Sequence, residues 1–331
     1  MTAMRWVVVG AGAVGGVVGG LLADAGQHVT LIARGAHLDA MRSSGLRIRT
    51  PRLDVVVGCP VAGSIGEVAI GPGDVVLLAV KSQDSDMALR ELASNADPAA
   101  VIACLQNGLE NERIAARRFA DVLSVPVMLP STIVEPGFVA AWGAPHPGGL
   151  DVGRYPDAPV DDLVSAVSRG FEAAGFQSTP RPDVSRWKRR KLVMNVGNAV
   201  QALVGLGSGQ RLRELATAEA EACFAAAGLE VASLEEDVAN REGRMEITDI
   251  PGLTRGGGSS WQSLVRGTGS IEADYLNGEI CLLGRLHGVP TPVNALLQYL
   301  SQRMARERRP PGCVNPDKIL IALDRRQNPL Q

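Results

Sequence analysis

The chain has 331 residues, of which 46% are hydrophobic, and its formal net charge is -2. A chain of this length exceeds the usual size of one hydrophobic core, so two domains are expected. The near balance of acidic and basic residues excludes a broad attraction to nucleic acid or to an anionic membrane surface, and a small ligand is the expected partner.

The cysteines and the apolar runs predict a cytoplasmic protein. The five cysteines are odd in number and nowhere spaced as C-x-x-C, which argues against a disulfide framework and a zinc site. No apolar run reaches the roughly 18 residues of a membrane span. The N-terminus leads into a glycine-rich turn instead of a signal cleavage site. No metal is expected, because the histidines stand apart from other ligands: His28, His37, His146 and His287.

The beginning of the chain follows the pattern of a dinucleotide-binding unit. An apolar run at 5–10 predicts a parallel strand buried on both faces, and the glycines after it have the G-x-G-x-x-G spacing. The first glycine allows the tight turn, the second lets the backbone approach a pyrophosphate, and the third lets the helix pack closely on the strand. The predicted phosphate-binding residues are Gly10, Ala11, Gly12, Ala13, Val14 and Gly15.

The second predicted strand, at 27–34, bears on the choice of cofactor. An NAD-binding unit places Asp or Glu at the end of this strand to bind the ribose 2'-hydroxyl, whereas this chain has Ala33 followed by Arg34. A guanidinium there favours a 2'-phosphate, so the predicted cofactor is NADP(H). The alternative is an ordinary exposed arginine.

The remaining elements of this half extend the same sheet. Strands are predicted at 74–81, 99–108 and 122–129, a short helix at 111–119, antiparallel edge strands within 137–155, a helix at 159–174, and a last strand before a proline-bearing linker at 180–183. Lys81 and Asn107 fall at strand C-terminal ends, where an open α/β sheet places its ligand contacts.

The predicted fold is therefore α/β, with a change of character near the linker. Residues 1–182 are predicted to form an N-terminal Rossmann-type doubly wound sheet. Long helical patterns follow, so residues 183–331 are predicted to form a C-terminal all-helical domain with the substrate and catalytic residues.

Two clusters of polar residues mark the helical half. Lys191 and Asn195 are four residues apart and Asn198 is three further on, which places all three on one helical face. Periodicity alone also allows Lys191 to be a solvated surface charge. The second cluster, at 255–280, is a glycine-rich loop with Ser260 that runs into a helix with Glu272. Hydroxyls on such a loop suit a carboxylate ligand, and a surface loop is the alternative.

Taken together, these segments resemble the ketopantoate reductase (2-dehydropantoate 2-reductase) family from about residue 4 to about 305. They are "VVVGAGAVGG", "LIAR", "AVKSQD", "LQNGLENE", "RRKLVMNVGNAVQAL" and "SSWQSLVRGTGSIEADYLNG". The resemblance implies an NADP-binding Rossmann domain, a helical domain, and reduction of ketopantoate to pantoate on the route to pantothenate and coenzyme A. It also implies that helical domains of this kind pair, so a homodimer is expected.

The resemblance assigns roles by position. It implies that Lys191 donates a proton to the ketone oxygen, that Asn195 binds the substrate, and that Ser260 holds the substrate carboxylate. Asn198, one position before the family's second asparagine, is predicted to bind the substrate because it lies on the same helical face. Glu272 lies where the cofactor ribose and the substrate meet, and Lys81 and Asn107 line the cofactor and active-site cleft. Arg34 is assigned to the 2'-phosphate.

The chain departs from the family pattern at substrate positions. It has Ala199 where the family has a second asparagine, a glycine or serine near Ser208 where a third is usual, and Ser263-Leu264 where Gln-Asp is common. Two alternatives therefore remain open: an NADPH-dependent reductase of another 2-oxo acid or ketone, and a non-catalytic NADPH-binding regulatory protein.

Overall fold

The computed structural model describes residues 4–327, with side chains as far as Asp324. The chain forms two compact units. The first comprises the chain up to Gln106, Glu110–Lys188 and Ser233–Arg255, and the second comprises Asn107–Leu109, Arg189–Ala232 and the chain from Gly256 onward. The predicted domain division after residue 182 stays a prediction. The two compact units differ from this predicted division, because residues 183–188 and 233–255 pack with the first unit.

The first unit contains the strands and six of the helices that the described residues form. Its strands are β1 (Arg5–Val9), β2 (His28–Ile32), β3 (Leu46–Arg49), β4 (Asp54–Val57), β5 (Val61–Ala62), β6 (Val75–Leu78), β7 (Val101–Cys104), β8 (Val122–Ser124), β9 (Val127–Met128), β10 (Ser131–Glu135), β11 (Phe138–Ala141), β12 (Gly143–Pro145), β13 (Gly149–Leu150), β14 (Gly153–Arg154) and β15 (Met245–Ile247). Its helices are α1 (Ala13–Asp24), α2 (Gly35–Ser44), α3 (Ser85–Asn95), α4 (Glu110–Ala116), α5 (Asp162–Ala173) and α9 (Leu234–Arg241).

The central sheet has the strand order of a doubly wound fold. Its order is β14-β8-β7-β6-β1-β2-β5, and every pair is parallel except β14 with β8. Strands β6 and β7 are continuous apolar runs with every residue buried, as expected when helices cover both faces. The order reverses between β1 and β6, which places the ligand site of such a fold at their C-terminal ends.

Helix α1 lies between the central sheet and a second sheet of order β10-β11-β3-β4. Its glycines allow this packing. Gly15 and Gly19 form an i, i+4 pair on the side of the central sheet, and Gly16 and Gly20 form an i, i+4 pair on the side of the second sheet. A Cβ on Gly19 would lie 2.7 Å from Val8 Cγ2 in β1, whereas a Cβ on Gly20 would lie 2.3 Å from Ile48 Cδ1 in β3. Only glycine permits both approaches.

Three sequence predictions in this unit are corrected. The strand predicted at 122–129 is two strands, β8 and β9, which are separated at Pro126, a residue with no amide to donate to the ladder. The segment predicted as a last strand before 180 forms only isolated bridges with 149–152. The predicted edge strands within 137–155 divide among separate sheets, and β14 alone joins the central one.

The second unit is helical. Helix α6 (Val184–Asn195) enters it, and the others are α7 (Gly197–Val204), α8 (Gln210–Ala226), α10 (Ser259–Val265), α11 (Asn277–His287), α12 (Pro292–Arg306) and α13 (Pro316–Gln327). Its core surrounds Leu192, Leu203 and Phe224. The predicted α/β fold, with a parallel-sheet domain followed by helices, is confirmed. Among residues 4–327, none of the helices is both long enough and apolar enough to cross a membrane.

Candidate active site

The turn between β1 and α1 has the geometry of a phosphate-binding loop. Gly10 has φ +98°, and a Cβ there would lie 2.8 Å from Val80 N, so this position requires glycine. At Gly12, in contrast, the nearest atom to such a Cβ is Ile133 Cδ1, 4.0 Å away. No packing explains the glycine at position 12. The space beside it, at the N-terminus of α1, is the space that a pyrophosphate needs.

Arg34 lies two residues past the end of β2, beside this turn. The amides of Gly10 and Ala11 both donate to Ile32 O, which fixes the turn to the end of β2. Ala33 is buried, whereas Arg34 is exposed at the start of α2. Lys81 lies three residues past the end of β6 and immediately precedes a 3₁₀ turn, Ser82–Asp84. These positions match the predicted cofactor contacts, whose roles stay predictions.

His37 is a residue of this region that the sequence did not single out. Its Nδ1 accepts from Gly137 N at 2.9 Å, so its Nε2 carries the proton and donates to Ala11 O at 2.9 Å. Burial lowers the pKa of His37, with the bond to Ala11 opposing it. A neutral imidazole therefore fixes the glycine turn to the loop between β10 and β11. No local pattern in the sequence predicts the contacts of His37 with Ala11 and Gly137.

In the second unit, three predicted site residues form one chain of side-chain amides. Asn195 Nδ2 donates to Asn107 Oδ1 at 2.9 Å, and Asn198 Nδ2 donates to Asn195 Oδ1 at 3.4 Å. Asn195 is 5% exposed, and its Nδ2 carries a second hydrogen besides the one donated to Asn107. Asn198 lies on α7 instead of on α6, because the helix is interrupted at Val196. The predicted single helical face thus consists of two helices.

The neighbours of the amide chain belong to the second predicted cluster, at 255–280. A Cβ on Gly108, which has φ +84°, would lie 2.8 Å from the carbonyl oxygen of Tyr275, in the 3₁₀ turn Glu272–Tyr275. A Cβ on Gly258 would lie 3.0 Å from Asn198 Oδ1, and Gly258 immediately precedes α10. The second unit therefore brings the segments of Asn107, Asn198, Ser260 and Glu272 together. Ser260 is 2% and Glu272 6% exposed.

Asn277 holds the break between α6 and α7. Its Nδ2 donates to Val196 O at 3.1 Å and to Asn294 Oδ1 at 2.9 Å. Asn294 in turn donates to Glu219, whose carboxylate also accepts the amides of Val293 and Asn294 at the start of α12. This buried network fixes the residue between Asn195 and the helix of Asn198. The sequence marks Asn277 as part of a polar cluster without indicating its partners.

Residues 186–191 form a cationic run with five Arg and Lys side chains, and these side chains lie in different surroundings. Arg186 pairs with Glu236 at 2.7 Å. Arg189 and Arg190 are partly buried and donate to the carbonyls of Glu230 and Ala232. Lys188 is the buried cation of the run, and Lys191 is partly buried one turn before Asn195 on α6.

Within the described residues, no three His, Cys, Asp or Glu side chains are grouped closely enough to hold a metal ion. A doubly wound sheet with a glycine turn, joined to a helical unit with a lysine and clustered amides, defines a dinucleotide-dependent oxidoreductase with two domains. The family models agree. "Ketopantoate reductase PanE/ApbA" matches residues 6–156, and "Ketopantoate reductase PanE/ApbA C terminal" matches residues 183–305. The chain belongs to the ketopantoate reductase family.

Curated relatives and solved structures give the same result. The chain is 31% identical to the 2-dehydropantoate 2-reductase of Halobacterium salinarum, over 92% of this chain and 100% of that protein. It is 30% identical to that of Mycobacterium tuberculosis, over 88% and 94%. A PanE/ApbA family ketopantoate reductase from Ralstonia eutropha has a TM-score of 0.77 at 28% identity, over 92% and 99% of the two chains. The chain is thus a reductase of this family along nearly its whole length.

Proposed function

We propose that the chain reduces 2-dehydropantoate to pantoate with NADPH, in the cytoplasm, as a step toward pantothenate. The observation that supports this most directly, in a chain of this family, is the amide chain of Asn107, Asn195 and Asn198, in which Asn195 lies one turn after Lys191 on α6. The altered family positions around Ala199 leave this chain of contacts in place, because Asn198 reaches Asn195 from α7.

The residues of the first unit suit NADPH. The space beside Gly12 and the amides at the start of α1 fit a pyrophosphate. Arg34 is exposed past the end of β2, where a carboxylate would favour NAD and a guanidinium favours a 2'-phosphate. When bound, NADPH supplies a hydride to the carbonyl carbon.

The proposed roles in the second unit follow from charge and hydrogen bonding. As the carbonyl oxygen gains negative charge, the Lys191 ammonium stabilises it and donates a proton, so that the C=O becomes CH–OH and the lysine is left neutral until water reprotonates it. Asn195 donates its second amide proton to the substrate, and the Ser260 hydroxyl binds the substrate carboxylate. Glu272 binds the cofactor ribose and the substrate hydroxyl.

The test is NADPH oxidation with 2-dehydropantoate and with a panel of other 2-oxo acids, for the native chain and for Lys191→Ala. We expect 2-dehydropantoate to be preferred and kcat to fall about 10²- to 10⁴-fold in the variant, the usual contribution of a general acid. The chain has four lysines, and Lys318 is exposed, so Lys318→Ala is the matched control and keeps native activity.

Two results would contradict the proposal. A preference for another 2-oxo acid would refute the substrate while leaving the reductase. Equal activity of Lys191→Ala and Lys318→Ala would refute the proton donor.

A further inference from the structure

Lys188 is a buried cation outside the roles proposed above. Its side chain is 3% exposed, and its Nζ lies 2.7 Å from Glu112 Oε1. The same ammonium donates to Gln106 O at 2.8 Å and to Val125 O at 3.0 Å. All of these groups belong to the first unit. Every proton of the ammonium thus has an acceptor, which is the condition for burying such a charge.

Stability alone does not explain this ion pair. A buried pair is often no more stabilising than apolar residues of similar volume, because both charges lose their hydration. Glu112 is 1% exposed and its Oε1 also accepts from Ser124 Oγ at 2.8 Å, whereas its Oε2 is buried without a hydrogen-bond partner. Burying this pair therefore costs free energy of hydration. Its effect is to hold the backbone that Lys188 contacts.

That backbone is the loop that contains Asn107. Lys188 binds the carbonyl of Gln106, the residue directly before Asn107, and Glu112 lies just after the loop at the start of α4. Side chains fasten the same two ends to each other. Gln106 Nε2 donates to Ser85 Oγ at 3.0 Å, and Ser85 Oγ donates to Asn111 Oδ1 at 2.7 Å. Both ends of the loop are thus fixed by buried polar groups.

We infer that Lys188 and Glu112 are positioning residues for the reaction, and that they act by holding the loop 105–109 so that Asn107 meets Asn195 in one geometry. The inference rests on the proposed function for the role of Asn107. Neither Lys188 nor Glu112 needs to touch substrate or cofactor, because a shift of the Gln106 carbonyl moves the next residue directly.

The first test is amide hydrogen exchange, which needs no turnover. The variant is Lys188→Met with Glu112→Gln, which removes both charges together and leaves no unpaired ion. We expect faster exchange at residues 105–109 than in the native chain, with β1 unchanged. Lys318→Met is the matched control and exchanges as the native chain does. If the double variant does not fold, Glu112→Gln alone weakens the hold on the ammonium, and a smaller change in the same direction is expected.

The second test is kinetic. We expect kcat to fall roughly 10- to 100-fold in the double variant, as for a misplacement of about 1 Å, with a smaller change in KM. If the pair acts through Asn107, adding Asn107→Ala causes no further multiplicative loss, since the two changes remove the same interaction.

The outcomes separate the two proposals. Native exchange at residues 105–109, or losses that multiply with Asn107→Ala, overturns the positioning role. A native chain that reduces no 2-oxo acid contradicts the proposed function instead, and faster loop exchange in the double variant would still confirm that the ion pair holds the loop.

Discussion

The second and third glycines of the G-x-G-x-x-G turn, Gly12 and Gly15, should respond differently to the same substitution. In Gly15→Ala, the new Cβ would lie 2.3 Å from Gly10 O and 2.9 Å from Ala79 Cβ. The oxygen belongs to the backbone, so we take the upper end of the overpacking cost, about 3 kcal/mol. Helix propensity returns about 1 kcal/mol. The net loss of about 2 kcal/mol corresponds to a fall in Tm of about 4–8 °C for a unit of this size.

In Gly12→Ala, the nearest atom to the new Cβ is 4.0 Å away, so no clash arises. Alanine at this N-cap position costs under about 1 kcal/mol, and Tm should change little. The methyl group instead occupies the space proposed for the pyrophosphate. We expect the Kd for NADPH to rise about tenfold, a loss of about 1.4 kcal/mol in binding free energy.

Thermal melting and NADPH titration, both on the native chain and on the two variants, check these expectations. The reasoning would be refuted by native NADPH affinity in Gly12→Ala. It would be refuted equally by a Tm loss in Gly12→Ala as large as that in Gly15→Ala, because packing would then explain both glycines.

Three further predictions concern single side chains. Arg34→Asp should weaken NADPH binding about 10- to 100-fold, as expected for one lost charge-assisted hydrogen bond, and should shift preference toward NADH; titration with both cofactors measures this, and unchanged preference would assign the 2'-phosphate elsewhere. Because the pKa of His37 is lowered by burial, its neutral form stabilises the fold above about pH 6.5, and this stability is lost as pH falls through the folded-state pKa. Melting from pH 5 to 8 should therefore show a steeper acid loss for the native chain than for His37→Gln, and parallel curves would contradict it. Glu219→Ala should cost about 1–3 kcal/mol by leaving the first amides of α12 without an acceptor, whereas Glu214→Ala, on the exposed side of α8, should cost under about 0.5 kcal/mol in denaturant unfolding.

The features that could be predicted are those that neighbouring residues in the sequence encode. The glycine turn, Arg34 and the strands β1, β2, β6 and β7 were predicted because spacing and apolar runs are local signals. The sheet of β3, β4, β10 and β11 was not, since β3 pairs with a strand about 90 residues later. The sequence did contain a signal for this second sheet. Gly16 and Gly20, the second i, i+4 glycine pair of α1, indicate a second surface packed on that helix.

Long-range polar contacts set the limit in the site. The helical period grouped Lys191, Asn195 and Asn198, but it could not show that Asn195 donates to Asn107, 88 residues away. It also could not distinguish Lys188 from the other cations of the run. The burial of Lys188 depends on backbone carbonyls just after β7 and β8, and a backbone carbonyl is the same whatever the sequence.

The interleaved chain of the two units limits the order in which they can fold during synthesis. Glu112 is translated 76 residues before Lys188. In addition, α9 and β15 of the first unit follow only after all of α6, α7 and α8. Until Lys188 emerges, a sheet built from the preceding residues would contain Glu112 with no cation beside it, at a cost of several kcal/mol. A chain truncated after residue 182 would remain in that condition permanently. Such a fragment is therefore expected to be a poor substitute for the cofactor-binding half of the protein, although it includes the whole glycine turn and every strand of the central sheet.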